Sequence, residues 1–443
     1  MRKYEQAGIA VDQVLLPKDG VDWATWAIVA CDQYTSEPEY WQQVDGKVGD
    51  NPSTLRLIYP EAYLGESDPE TRIAAIRKTM DDYVDQGVLV GRDGMVYVER
   101  EIEGKTRRGI VLCVDLECYD YNKGSQSLIR ATEGTIVERL PPRVKIRAGA
   151  RLELPHIMVL VDDPEGTVID QLTETRDQLT KLYDFDLMMK SGHLRGYLVD
   201  DLALEQRVAG ALAALAEPER FRAKYGFDKP RPVLLYAMGD GNHSLATAKA
   251  IWEKLKEEGG EAVMDDPRRH ALIELVNLHD EALVFEPIHR VVFGLKDERA
   301  PLEAMKQHYG DRYSETKVGS PEELTEQVRS APPGIHRIGA SLTQGPVVIQ
   351  VRDPDHNLAV GTLQTVLDEF MKTGAADEID YVHGLDATIK VGGKPGNVGF
   401  VLPAMDKHDL FKSVILDGAL PRKTFSMGEA YEKRFYAESR GLR

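Results

Sequence analysis

The chain has 443 residues, with 55 Lys and Arg against 73 Asp and Glu and a formal net charge of −18; such a surface repels the phosphate backbone whose neutralisation supplies most non-specific nucleic-acid affinity. A content of 42% hydrophobic and 29% charged residues excludes disordered and fibrous classes, and about 150 residues per domain predicts three domains or one large α/β unit with additions. No run approaches the roughly 18 apolar residues of a membrane-spanning helix, and the N-terminus lacks the apolar core of a secretory signal, so a cytoplasmic protein without membrane contact is expected.

The predicted elements follow in chain order. Thr71 to Leu89 carries Ile73, Ile76, Met80 and Tyr83 at spacings of three and four before Gly87, which predicts an amphipathic helix. Met95 to Tyr119 alternates and reads as strand, turn at Gly104, strand. Cys113 and Cys118 lie in its second half without a further cysteine pair to complete a zinc site, so reduced thiols are expected. Glu153 to Gly166 predicts a buried strand ending in an Asp-Pro turn, then a helical pattern through TVIDQLTETRDQLTKLYDF. SGHLRGYLVDD predicts a strand and LALEQRVAGALAALAEPERFRAKYG a helix. Arg231 to Met238 is a further strand, which GDGNHS joins to an Ala-rich helix stopped by Gly259 and Gly260. His270 to Asn277 is expected as helix and ALVFEPIHRVVFG as strand. Beyond a soft boundary near 300, PVVIQVRD, GFVLPA and DATIKVGG predict strands and TVLDEFMKT a helix, before a Lys/Arg-rich tail.

Two segments carry candidate chemistry. A glycine-rich turn that opens a helix is a ready anion site, because the first backbone N–H groups of a helix are unpaired and partly positive. In GDGNHS, Gly239 and Gly241 permit the tight turn, Asp240 is a candidate for a divalent cation, and His243 can donate to a phosphate oxygen. The same residues suit a plain turn with the helix capped by Asn242 or Ser244, and the pattern alone leaves both readings open. It is neither a dinucleotide fingerprint nor a P-loop, since the third glycine and the lysine are missing. The other segment, Ile129 to Arg151, sets Arg130, Arg139, Arg143, Lys145, Arg147 and Arg151 against Glu133 and Glu138, a local charge of +4 in an acidic chain. Guanidinium groups gather where anions bind, although most charge runs are solvated surface. Pro141, Pro142 and Gly134 argue for a loop. Asp32 and Gln33, His289 and Arg290, Asp380 to His383, and Lys423 are read first as structural groups.

The order of ACDQYTS, NPSTLRLIYPE, IRATEGT, ELPHIMVLVDDP, RPVLLYAMGDGNHSLATAKA, LVNLHDEALVFEPIHRVV, IDYVHGLDAT and LPRKTFSMGEAYEKRF resembles domain of unknown function family 1015, over nearly the whole chain. In that family the segment at Asp240 to Ser244 typically reads Asp-Gly-His-His-Arg, which is also the phosphate-binding signature of free serine kinase in the ParB/sulfiredoxin-like superfamily. Asp240, Gly241 and His243 match it, Asn242 replaces the first histidine, and Ser244 replaces the arginine. The family's Glu-x-Thr is Arg130-Ala131-Thr132 here, with Glu133 as its displaced acid or that acid lost.

The resemblance implies an α+β fold with a ParB/sulfiredoxin-like core and N- and C-terminal α/β additions. The expected division is 1–230 with the Arg-rich loop 129–151, a phosphate-binding element at 231–300, and a C-terminal region at 301–443. It implies transfer of phosphate from ATP, ADP or pyrophosphate to a small hydroxylated metabolite, L-serine foremost. The alternatives are a nucleotide-binding hydrolase or switch and a non-catalytic binder of an anionic ligand. For such a transfer, Gly239, Gly241, Asn242, His243 and Ser244 are expected around the donor phosphates with Arg139 and Arg147. Asp240 is expected on Mg2+, Arg143 and His243 at developing charge, and Glu133 as base.

Overall fold

Apolar alternation along Met95–Ile102 (β1) and Lys105–Asp115 (β2) gives two antiparallel strands with a buried side chain on each face. In the computed structural model, which describes residues 1–442, they form the middle of an 11-stranded mixed sheet. Met158–Val161 (β3), Thr180–Asp186 (β4), His193–Val199 (β5), Tyr236–Asp240 (β6) and His270–Asn277 (β7) complete its main path, in the order β4-β5-β1-β2-β7-β3-β6, followed by the short strands Ile129–Arg130 and Tyr119–Asp120. β3 runs parallel to β7 and antiparallel to β6.

The two faces bury separate cores. Ile110, Leu112 and Val114 of β2 pack with Leu204, Val208 and Leu212 of the helix Leu202–Leu215 and with Leu245, Ala248 and Trp252 of the helix Asn242–Gly259. Val111 and Cys113, one residue out of phase, pack with Trp26, Trp41, Ile73, Ile76 and Met80. The last three lie on Pro69–Asp85, here α1; Leu140–Arg147 is α2, Leu202–Leu215 α3 and Asn242–Gly259 α4. The predicted amphipathic helix, the strand pair around Gly104 and the strand-glycine-helix unit therefore stand in the structure as one mixed α/β layer arrangement.

This sheet belongs to a unit made of Met1–Leu283 and Gly428–Arg443, whereas Val284–Met427 forms another. Of the expected element at Arg231 to Glu258, the strand begins only at Tyr236 and ends at Asp240, and it and the helix Asn242–Gly259 belong to the first unit's sheet and core. In the second unit the strands run in the order Tyr313–Lys317, Val347–Arg352, Ile335–Ser341, Val398–Val401, Phe285–Phe293, Glu378–His383. Their core includes Leu302, Met305, Leu363 and Leu367 from the helices Ala300–Tyr309 and Ala359–Lys372.

Several expectations are corrected. His270 to Asn277 is a strand, buried at every residue between β2 and β3; a strand covered on both faces loses its alternation and reads like a buried helix. DATIKVGG lies in a helix, Leu385–Gly392, whose Gly392 is so close to Gly399 that a Cβ would lie 2.2 Å from its backbone nitrogen. The helical pattern after Gly166 runs only through Asp170–Thr175 and a 3-10 turn at Arg176–Gln178, and the chain then enters β4. The Arg-rich segment contains helix α2, because its prolines stand in the first turn, where the missing N–H is no loss. The C-terminal residues are no loose tail: Phe435–Tyr436 pairs with Ile28–Val29, Arg440–Gly441 pairs with Leu152–Glu153, and Arg434, Glu438, Ser439 and Arg440 are buried.

Candidate functional site

Helix α4 starts where β6 stops. Gly241, between them, adopts φ +78°, a left-handed conformation that costs a residue with a Cβ about 1–2 kcal/mol. A Cβ there would lie 3.0 Å from Cα of Ile157, so glycine is required for backbone angle and space alike. The N-cap residue Gly241 has no side chain to cap α4, and a helix start of this kind is partly positive. Gly239, Asn242, His243 and Ser244 are all partly buried around this turn.

Asp240 ends β6 with one carboxylate oxygen accepting the Gly241 N–H at 2.8 Å and the other 3.1 Å from Nζ of Lys433. Burial alone pushes its pKa up, but Lys433 holds it below the usual carboxylate range. His156, at the entry to β3, lies against Gly241, with its Cδ2 3.5 Å from where a Cβ would stand. Its Nδ1 is 2.7 Å from the Tyr436 hydroxyl and its Nε2 is 4.0 Å from Asp32. Asp32 accepts a hydrogen bond from Gln33 at 2.9 Å. Next to it, the Glu61 N–H donates to the Cys31 carbonyl at 2.7 Å, and the Glu61 carboxylate accepts from Arg143 at 2.5 Å. Burial pushes Glu61 up, with Asp32 adding to the rise and Arg143 opposing it. Asp32, Glu61, Arg143, His156, Asp240, Lys433 and Tyr436 thus form one polar group beside the start of α4.

The Arg-rich segment divides. α2 packs against α4, and it brings Arg143 to this group. Arg147 turns instead to the buried carboxylate of Glu153, which Arg440 also holds at 2.6 Å. Arg139 is exposed, and its carbonyl accepts a 2.7 Å bond from Arg143. Arg130 is buried, donating to the carbonyls of Ser127 at 2.8 Å and Pro232 at 3.0 Å, a structural role. Lys145 pairs with Glu70 and Arg151 with Asp85. Glu133 lies partly buried in the loop that leads to α2.

Both oxygens of Asp240 already face donors, and among the described residues no group of three or more His, Cys, Asp or Glu side chains is placed to hold a metal ion. Among the described residues no helix is long and apolar enough to cross a membrane.

The family model described as protein of unknown function (DUF1015) matches residues 15–370. The chain belongs to DUF1015. No curated protein matches it. Among solved structures, a free serine kinase mutant in complex with AMP shares 11% identity over 73% of this DUF1015 chain and 90% of its own, with a TM-score of 0.40. A free serine kinase mutant in complex with ADP gives 11%, 75%, 91% and 0.39. A conserved hypothetical protein from Pyrococcus furiosus gives 11%, 75%, 95% and 0.37. Likeness at this level carries no argument about chemistry.

Within this DUF1015 member, Lys433, His156, Glu61 and Tyr436 are the site groups that sequence reasoning missed. Lys433 stands in a basic tail, where the signal is the apolar Phe435-Tyr436-Ala437 just after Arg434. Asp32 reads as structural from the sequence, because nothing local shows that residues so far apart in sequence share a site.

Proposed function

We propose that the chain is a phosphotransferase that moves a phosphoryl group from a nucleotide or pyrophosphate to the hydroxyl of a small metabolite. One observation carries this reading: a glycine-opened helix start, a cation and a carboxylate are gathered in one place, at α4, Lys433 and Asp32. Phosphoryl transfer asks mainly for positioning and charge neutralisation. The backbone of Gly241 to Ser244 and the side chain of His243 hold the donor phosphates. Lys433 supplies the cation that Ser244 lacks; an ammonium has three N–H donors and can bond Asp240 and a phosphate together. Arg143 faces the charge that develops as the donor bond breaks. Asp32 takes the proton of the acceptor hydroxyl, whose oxygen bonds to phosphorus while the leaving phosphate departs with the former bond's electrons. L-serine as the acceptor rests on the motif resemblance alone.

Phosphoserine formation from serine with ATP, ADP or pyrophosphate is the test, on wild type, His243→Ala, Asp32→Asn and Glu133→Gln. Loss of one donor from a preorganised site costs a factor of about 100 to 1000 in rate, and His243→Ala is expected in that range. A larger loss in Glu133→Gln than in Asp32→Asn would move the base to Glu133. Wild type inactive with every donor would overturn the kinase reading, and donor cleavage unaffected by serine would replace it with a hydrolase.

A further inference from the structure

Tyr436 takes no part in the chemistry above, yet it lies against it. It is 2% exposed, on the short strand that pairs with Ile28–Val29. Its oxygen accepts the backbone N–H of Cys31 at 3.1 Å and stands 2.7 Å from Nδ1 of His156. A phenol has one proton to give. Burial, with the Cys31 thiol and Asp32 adding to it, pushes the Tyr436 pKa well up, so that proton stays on the oxygen. The Cys31 amide is itself a donor and cannot receive it. The two acceptors within reach are Nδ1 of His156 and the Cys31 sulfur. At 2.7 Å the ring nitrogen has the geometry of a strong O–H···N bond, and sulfur is a weak acceptor.

A nitrogen that accepts this bond carries no proton, so the proton of the neutral ring is on the other nitrogen, which faces Asp32. The 4.0 Å separation there is a charge–dipole distance rather than a hydrogen bond, and contacts of this kind often tighten only when substrate is bound. We infer that Tyr436 is a positioning residue that fixes His156 as the Nε2–H tautomer, aiming that N–H at Asp32 and so holding the orientation of its carboxylate. This rests on the phosphotransferase reading for its consequence but not for its geometry. Nε2–H orients the carboxylate that accepts the hydroxyl proton, and no proton crosses the ring.

The test has two arms on the full chain. Nitrogen-15 NMR of histidine-labelled wild type, with the His156 signals assigned by their absence in His156→Gln, is expected to show a neutral ring protonated at Nε2. Tyr436→Phe is expected to shift that ring toward a mixture of tautomers. In phosphoryl transfer, Tyr436→Phe is expected to lower kcat about 10- to 100-fold, part of the 10²–10⁴ that acid–base catalysis contributes, while the donor KM changes by less than about twofold. A wild-type ring protonated at Nδ1, or a fully charged one, overturns the inference whether or not Tyr436→Phe folds. So does an active wild type whose kcat survives Tyr436→Phe. A wild type without transfer defeats the functional reading instead, and the tautomer measurement then decides the inference by itself.

Discussion

Single side chains here divide between holding the fold and facing the site, and Arg143 and Arg147, one helical turn apart, fall on opposite sides of that line. Arg147 and Arg440 neutralise Glu153, whose pKa burial alone pushes up but the two guanidinium groups hold down. Removing one partner of a buried ion pair strands the other charge at a cost of about 3–5 kcal/mol. Arg440→Met leaves Glu153 with Arg147 alone and is therefore expected to lower unfolding free energy toward, but not beyond, that order in urea titration, while Arg147→Ala lowers stability more than donor affinity and Arg143→Ala does the reverse. The exposed Arg139→Ala should stay within about 0.5 kcal/mol. In the second unit, His289 accepts the Leu402 N–H at Nδ1, and burial, with Arg290 and His383 adding to it, pushes its pKa down to about 4 from 6.5. The unfolded chain then binds the extra proton between these values. Stability is complete above pH 6.5 and falls as pH drops toward 4, by about 3 kcal/mol at 1.36 kcal/mol per pH unit. Urea midpoints at pH 7.5 and 5 should show this slope for wild type and a shallower one for His289→Asn; equal slopes would refute it.

Elements here are decided as much by neighbours as by their own pattern, and two glycines in helical context show it. Gly241 stands at φ +78° against Ile157, so Gly241→Ala is expected to destabilise by at least about 1–2 kcal/mol. Gly210, inside α3, has nothing within 4 Å of its virtual Cβ, so Gly210→Ala should stabilise by about 0.5–1 kcal/mol. Opposite signs in thermal melts check both, and equal signs would mean that backbone strain is not what distinguishes them. The same dependence on neighbours limits what the sequence discloses. β1 and β2 are legible because alternation on both sides of Gly104 needs no partner to be seen. The junction of β6 and α4 is legible because glycine punctuates it. β7 is not, since its burial comes from β2 and β3 and erases its period. Of the site, the sequence reveals the turn at Gly241 and the cationic helix that supplies Arg143. His156, Glu61, Lys433 and Tyr436 come from distant segments, and no local spacing records that they meet.

At the scale of the whole molecule, the chain leaves its first unit at Leu283 and returns at Gly428 to finish it. The returning segment is structural cement. Phe435, Tyr436 and Ala437 enter the core that contains Trp26 and Trp41. Arg434 pairs with Glu274 and Glu438, and Arg440 with Glu153. Deleting residues 428–443 would remove that apolar area and leave Glu274 and Glu153 short of their buried partners. At up to about 3–5 kcal/mol for each weakened buried pair, added to the lost apolar burial and set against a total stability of about 5–15 kcal/mol, the first unit should not fold. The second unit keeps its own core around Leu302, Leu363, Ile349 and Phe400. Residues 284–427 expressed alone are therefore expected to melt cooperatively and resist limited proteolysis, whereas residues 1–283 alone should be digested rapidly and show no cooperative melt. Adding a peptide of residues 428–443 to the latter, at concentrations well above micromolar, should restore protection, because a ligand that binds only the folded form stabilises it by mass action. A stable 1–283 fragment without the peptide would show that the returning segment decorates the unit rather than completing it, and the buried ion pairs would then contribute far less than their geometry implies.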